Sequence, residues 1–177
     1  MAEGRYIVEP LATYHDRSRF VSGNVDLDRY FRQQVGQDVR NNIARCFVLC
    51  PVPGGDPLGY YTLSSYGVQP RELPPDVVRR LPRYPLIPTI LLGRLAVDTR
   101  YQGQGFGRRL LFSALARALT FSKEIAAYAV IDDVKGGDAR RFYERYDFKA
   151  FSEHSQRLYV PMRLIERSGL RLADGTP

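Results

Sequence analysis

Eight residues just past the middle of the chain have the makeup of an anion cradle: Gln102-Gly103-Gln104-Gly105-Phe106-Gly107-Arg108-Arg109. They follow a nearly all-apolar run, Thr89 to Val97, and open a stripe at helical spacing: Phe106, Leu110, Leu111, Ala114, Leu115, Ala118 and Leu119. Glycines between a strand and a helix let the backbone turn tightly and aim successive N–H groups at one point, where the helix start adds partial positive charge. Arg108 and Arg109 add formal charge beside it. A phosphate or pyrophosphate is the natural ligand. The plainer alternative is an ordinary tight turn, and three alternating glycines weigh against it. A Walker loop would continue with Lys and Ser or Thr, whereas Leu110 follows the two arginines. A Rossmann fingerprint needs wider glycine spacing and an acidic residue ending the next strand, but Glu124 precedes its strand.

Other residue types exclude more than they suggest. Cys46 and Cys50 sit at even spacing in the apolar run Cys46-Phe47-Val48-Leu49-Cys50, on one face of a strand and too far apart along it to bridge. The only histidines, His15 and His154, stand alone, so the expectation is buried core cysteines and no metal site. Ala139, Phe142, Tyr143 and Tyr146 read, on spacing alone, as the buried stripe of a short helix. Arg94 alternates out of register with Leu95 and Val97 in an otherwise apolar strand, where a charge is costly unless it faces a groove or a partner.

The elements that must position these residues follow from periodicity. Arg5 to Glu9 alternates as a strand and stops at Pro10. Asn24 or Asp26 can cap a helix with apolar positions Leu27, Tyr30, Phe31, Val35, Val39 and Ile43. Arg45 to Leu49 and Leu58 to Ser64 flank Pro53-Gly54-Gly55-Asp56-Pro57 as an antiparallel hairpin. Pro70 to Pro88 holds six prolines around a short helical piece, Asp76 to Leu81. Thr89 to Val97 reads as a strand buried on both faces. Ile125 to Ile131 is a further strand, and Asp138 can cap the next helix. Phe148 to Ser152 and Arg157 to Met162 complete the strands, with a polar tail over 168–177. Hairpins mixed with strand–helix–strand crossovers imply a mixed α/β (α+β) fold, one central sheet covered by helices.

The 177 residues suit one domain, read as 1–167, with 44% hydrophobic and 25% charged residues as in a globular core. No run approaches the roughly 18 apolar residues of a membrane span, and Met1 to Arg5 leads directly into a strand, so a soluble cytoplasmic protein is expected. The net charge is +7, from 23 arginines and three lysines against 19 acidic residues. Arginine-rich surfaces suit phosphates, although a solvated basic surface has the same composition.

Leu95-Ala96-Val97-Asp98 followed by Gln102-x-x-Gly105-x-Gly107 resembles the acetyl-coenzyme-A signature of the GNAT acetyltransferases, and the element order fits that fold across almost the whole chain. The resemblance implies a mostly antiparallel sheet of about six or seven strands. It also implies acetyl-CoA as cofactor, its pyrophosphate on the amides of Gln104, Gly105, Phe106, Gly107 and Arg108, beside Gln102 and Gly103. Pantetheine would lie along Leu95, Ala96 and Val97. A narrower resemblance, to the GNAT toxins of bacterial toxin–antitoxin pairs, rests on Phe20-x-Ser22-Gly23-x-x-x-Leu27-Asp28, Gly59-Tyr60-Tyr61-Thr62-Leu63-Ser64, Arg83-Tyr84-Pro85-Leu86-Ile87-Pro88, Leu92-Gly93-Arg94-Leu95-Ala96-Val97 and Ala139-x-x-Phe142-Tyr143. Tyr146-Asp147-Phe148 departs from that pattern, with Asp where Gly closes the helix. Asp tolerates the left-handed conformation needed there.

That resemblance implies acetylation of the α-amine of aminoacyl-tRNA, with Tyr143 as general acid and the N–H near Val97 as oxyanion donor. An α-amine, with a pKa of about 7.7–8.0, needs no strong base, whereas a lysine near 10.4 would. Arg79, Arg80, Arg83 and Arg94 are candidates for RNA contact, the first three reading equally well as a solvated face. The implied partners are a small antitoxin, of the DNA-binding ribbon–helix–helix type, and a second copy in a homodimer. A GNAT enzyme for small amines or protein N-termini, and a non-catalytic coenzyme-A or partner-binding module, are the alternatives.

Overall fold

Seven strands form one sheet in the computed structural model, which describes residues 5–52 and 54–170. They are β1 (Tyr6–Pro10), β2 (Arg45–Pro51), β3 (Gly59–Val68), β4 (Ile87–Val97), β5 (Ala129–Asp133), β6 (Lys149–Ala150) and β7 (Arg157–Pro161), in the order β1-β2-β3-β4-β5-β7-β6. β1 with β2, β2 with β3, β5 with β7 and β6 with β7 are antiparallel. β4 and β5 run parallel from Thr89↔Ala129 to Leu91↔Ile131. The helices are α1 (Val25–Arg29), α2 (Val35–Arg40), α3 (Pro75–Val78), α4 (Phe106–Ser122), α5 (Gly137–Glu144) and α6 (Met162–Arg167). The mostly antiparallel, helix-flanked sheet is the expected one. Among the described residues, no helix is long and apolar enough to cross a membrane.

The chain divides into two compact units, Met1–Ser64 with Gly93–Ala114, and Ser65–Leu92 with Leu115–Pro177. The core of the first holds Phe20, Phe31, Tyr60 and both cysteines. Phe31 stacks on Tyr60 at 4.1 Å between centroids, and the Tyr60 hydroxyl donates to Leu27 O at 2.9 Å. Asn24 caps α1 by accepting from Asp26 N and Leu27 N. A π-helical turn, Tyr30–Gln34, joins α1 to α2. Its extra residue keeps Leu27, Phe31, Val35 and Val39, each four apart, from drifting off the buried face.

The core of the second unit gathers Val68, Leu73, Ile87, Ala129, Ile131, Phe151 and Tyr159. Asp147 takes the left-handed conformation, φ +66°, in which the helix was expected to close. Several local expectations fail. Ile43 lies past the end of α2 and is 64% exposed, and Ile125 precedes β5 and is 81% exposed. Asp138 is inside the first turn of α5, bonded to Arg141, and Gly136 occupies the cap position. β4 is not buried throughout: Pro88 and Gly93 are exposed. The segment after β7 forms α6, whose Met162 and Ile165 are buried. Of the expected tail over 168–177, residues 171–177 lie outside the described residues, as do Met1 to Gly4 and Pro53.

Candidate active site

The first unit builds the glycine turn on a buried carboxylate. Asp98 follows β4 at 1% exposure and accepts hydrogen bonds from Arg100 Nε (2.8 Å) and NH2 (3.0 Å), from Arg100 N (3.0 Å) and from Val21 N (3.1 Å). Burial would raise its pKa, but these bonds and the Arg100 charge outweigh burial and hold the carboxyl below its ordinary range. Thr99 N donates to Val21 O at 2.8 Å. Gln102 donates its side-chain amide to Ser22 O at 2.8 Å and to Val97 O at 2.9 Å. Ser22 donates its N and Oγ to Asp28 Oδ1 at 2.7 and 2.6 Å. Residues 20–28 are therefore the brace of the turn. The side chain of Gln102 is part of that brace.

Past the brace the backbone opens. Gly103 and Gly105 have φ of +76° and +83°, and nothing lies within 4 Å of a Cβ added at either. α4 then starts at Phe106, so the amides of Phe106, Gly107 and Arg108 have no acceptor within the helix. The backbone bond that closes the turn runs from Arg109 N to Gly105 O at 3.1 Å. Unhindered glycines beside free helix-start amides fit a pyrophosphate. Phe106 is buried edge-on against Tyr6 at 4.9 Å, so only its amide can serve an anion. Arg109 donates to Tyr6 O, whereas Arg108 is exposed and, among the described residues, unpaired with a carboxylate. Ala96 is buried in the core, and half-buried Leu95 and Val97 flank it.

Tyr143 belongs to the second unit. It is 6% exposed, with its ring edge-on to Phe142 at 5.2 Å and Phe148 at 5.1 Å. The buried Asp132 of β5, itself 6% exposed, bears on it electrostatically. Burial first, then the charge and hydrogen bond of Asp132, raise the tyrosine pKa well above its ordinary value, so Tyr143 keeps its proton. Burial raises Asp132 to about 7, with the Tyr143 bond opposing that rise and Asp133 adding to it. Sequence reasoning missed Asp132. Its only signal was a carboxyl directly after Ala129-Val130-Ile131 in a strand buried on both faces.

The arginines have different surroundings. Arg79 is exposed and pairs with Asp76 at 3.4 Å. Arg80 and Arg83 are exposed, and Arg83 borders a cavity of about 290 Å³ beside Val78, Leu81 and Tyr84. Arg94 belongs to the first unit, where its guanidinium stacks 3.5 Å from the Tyr30 ring centroid. The ring relieves the cost of a charge in that strand without requiring an external partner.

One expectation about histidine fails. His15 is buried, accepts from Ala12 N at Nδ1 and bonds Glu9 Oε1 through Nε2, each at 2.9 Å. Its ring nitrogen, Glu9 and Cys50 Sγ lie within 4.8 Å of one another, brought together by the β1–β2 pairing and the loop after β1. Both ring nitrogens serve protein partners, and burial pushes the Cys50 thiol up to about 12. Both cysteines are free and buried, as expected.

The model of the acetyltransferase (GNAT) domain matches residues 44–150. The tRNA-acetylating toxin of Mycobacterium tuberculosis is 36% identical over 134 residues, 76% of this chain and 78% of that protein. The probable toxin TacT of Sinorhizobium fredii is 26% identical over 167 residues, 90% of this chain and 92% of the relative. Among solved structures, a KacT point mutant has a TM-score of 0.86 at 28% identity, covering 92% of this chain and 98% of its own. AtaT complexed with acetyl-methionyl-tRNAfMet has a TM-score of 0.85 at 28% identity, covering 93% and 99%. The open glycine cradle therefore stands where a matching domain model and chain-wide relatives agree, and the chain belongs to the GNAT acetyltransferase family.

Proposed function

We propose that this acetyltransferase moves the acetyl group of acetyl-CoA onto the α-amine of aminoacyl-tRNA and is the toxin of a toxin–antitoxin pair. The observation that carries the reading is its likeness, over three quarters of the chain, to the tRNA-acetylating toxin. The unhindered glycine cradle supports it by suiting coenzyme A. Residues 1–167 act as one catalytic domain. The amides of Gln104 to Arg108 hold the pyrophosphate, with Gly103 and Gln102 shaping and bracing the turn. Leu95, Ala96 and Val97 offer main-chain groups to pantetheine, and the N–H near Val97 stabilises the developing oxyanion.

Tyr143 gives its proton to the departing thiolate. Its raised pKa keeps that proton in place at neutral pH. The acceptor α-amine is largely neutral near pH 8 and attacks without a strong protein base. Arg79, Arg80, Arg83 and Arg94 contact the RNA backbone. A small antitoxin of the ribbon–helix–helix type neutralises the enzyme, which acts as a homodimer. Charged tRNA sets its place of work in the cytoplasm.

The test uses purified protein, labelled acetyl-CoA and total charged tRNA. Label is expected in charged but not deacylated tRNA, and Tyr143→Phe is expected to lower kcat by about 10²–10⁴. Unlabelled tRNA with acetylated small amines or peptides would retain the enzyme and reject the toxin.

A further inference from the structure

We propose that the apolar cavity in the proline-rich segment between β3 and β4 takes one unpaired base of the RNA, stacked on Tyr84, with Arg80 and Arg83 on its phosphates. The inference rests on the reading that the substrate is aminoacyl-tRNA. The cavity, about 290 Å³, lies wholly within the second unit. Its floor is Ile87, 4% exposed at the start of β4. Its walls include half-buried Val78 and Leu81, which pack against the core cluster that holds Ile87. Backbone bonds fix those walls: Val78 N donates to Pro74 O and Leu81 N to Val78 O, each at 3.1 Å. Leu86 seats on β3 so closely that a Cβ added at Gly67 would lie 3.2 Å from Leu86 Cδ1. The cavity is therefore part of the packed fold.

Tyr84 stands at its rim, 61% exposed, with Tyr84 N donating to Pro82 O at 3.0 Å. Among the described residues its ring has no aromatic or cationic neighbour and its hydroxyl has no hydrogen bond. A tyrosine held this way offers a large flat face at low entropic cost.

The charge around the mouth selects among occupants. Among the described residues no carboxylate lines the cavity, whereas Arg83 does. Arg80 lies on the turn between the walls Val78 and Leu81, and neither arginine forms an ion pair among the described residues. An uncompensated positive rim around an apolar hollow repels amines and attracts a group that is flat at its centre and anionic at its edges. A nucleotide is such a group, with a base that stacks and flanking phosphates that carry charge. The volume is at the lower limit of small-ligand pockets, about 300–1,000 Å³, so it admits one ring system and not a peptide helix. A base inside a duplex is already stacked and paired, so the occupant comes from a single-stranded stretch.

The experiment uses the purified full chain and two RNA hairpins with the same stem, one blunt and one with an unpaired 3′ end of about four nucleotides. Wild type is expected to bind the second at least about tenfold more tightly. Tyr84→Ala is expected to weaken that hairpin by about 5- to 150-fold, the loss of one base stack, and to leave the blunt one within about twofold. Tyr84→Phe, which keeps the ring, should stay within about threefold of wild type on both. A fluorescent purine analogue placed at each unpaired position in turn should be quenched by wild type at one position, and not there by Tyr84→Ala. Phosphate contact alone produces no such quenching. Val78→Phe, which fills the cavity and leaves Tyr84 in place, should remove the quenching as well. In the acetylation assay Tyr84→Ala should raise KM for charged tRNA and leave KM for acetyl-CoA within about twofold.

Equal affinity of wild type for the two hairpins, an equal change for both in Tyr84→Ala, or quenching retained in Val78→Phe overturns the inference. So does binding of an acidic peptide that Tyr84→Ala abolishes while RNA binding stays as in wild type, which assigns the cavity to a protein partner. If wild type acetylates charged tRNA and Tyr84→Ala has an unchanged KM for it, only this inference falls. If charged tRNA stays unlabelled, the toxin reading falls and takes this inference with it.

Discussion

Gln102 donates its side-chain amide to the carbonyl of Ser22, 80 residues earlier in the chain, at 2.8 Å. The same nitrogen holds Val97 O at 2.9 Å. One side chain thus joins the end of β4 to the segment before α1, just ahead of Gly103.

Gln102→Ala is expected to weaken acetyl-CoA binding while leaving the fold largely intact. Each lost hydrogen bond is worth about 0.5–1.5 kcal/mol, so together they correspond to about 5- to 150-fold in Kd, with the lower end favoured because Gln102 is exposed. Calorimetric titration with acetyl-CoA measures it. An unchanged Kd would show that the brace does not set the cradle.

Gly59→Ala is expected to destabilise the first unit. A Cβ at Gly59 would sit 2.7 Å from Leu110 Cδ1 and 2.8 Å from Ala96 O. The leucine can rotate, but the Ala96 carbonyl belongs to the end of β4 and moves only with the strand. Overpacking of this kind costs about 1–3 kcal/mol, and each kcal/mol lowers Tm by about 2–4 °C in a chain of this size. A thermal melt with Tm equal to wild type would contradict it.

The stability of Asp132→Asn relative to wild type should grow with pH. The folded Asp132 pKa, about 7, lies above its unfolded value, so folding binds the proton more tightly. The stabilisation from that proton is full below about pH 4 and disappears as pH rises through about 7. Over the same window the wild type incurs a penalty, on the order of 4 kcal/mol, that asparagine avoids. Paired melts at about pH 4 and pH 8 should show the Tm difference shifting in favour of the variant. A pH-independent difference would place the folded pKa near its ordinary value.

Arg79, Arg80 and Arg83 should differ from Arg94 in what they cost. The first three are exposed, so replacing all three with alanine should leave Tm within about 2 °C. The same triple variant should reduce the slope of log K for charged tRNA against log salt by about two to three. Arg94→Ala also removes the stack on Tyr30, worth about 0.5–2 kcal/mol, and should lower Tm visibly. An unchanged slope in the triple variant would assign these arginines to an ordinary solvated surface.

Local chemistry in the sequence determined the elements. The turn residues Pro53 to Pro57 between two strand-like runs marked the β2–β3 hairpin, the Phe106 to Leu119 stripe marked α4, and three alternating glycines marked the turn between β4 and α4. The left-handed closure at Asp147 was legible only through the family resemblance, which places Gly there. The glycine cradle was legible from its own residues: its φ values and helix-start amides arise within a few consecutive residues. Element ends were less legible, as Ile43 and Ile125 show, because an apolar residue extends a pattern whether or not anything covers it.

Only the tertiary structure decided which distant polar groups meet. Ser22 and Gln102, Glu9 and His15 with Cys50, and Arg94 and Tyr30 each come from separate elements. Periodicity states which face of an element is buried, but not which partner is buried against it. The acidity of a carboxyl such as Asp132 depends on that partner and on lost solvent, neither of which is written in its neighbours along the chain.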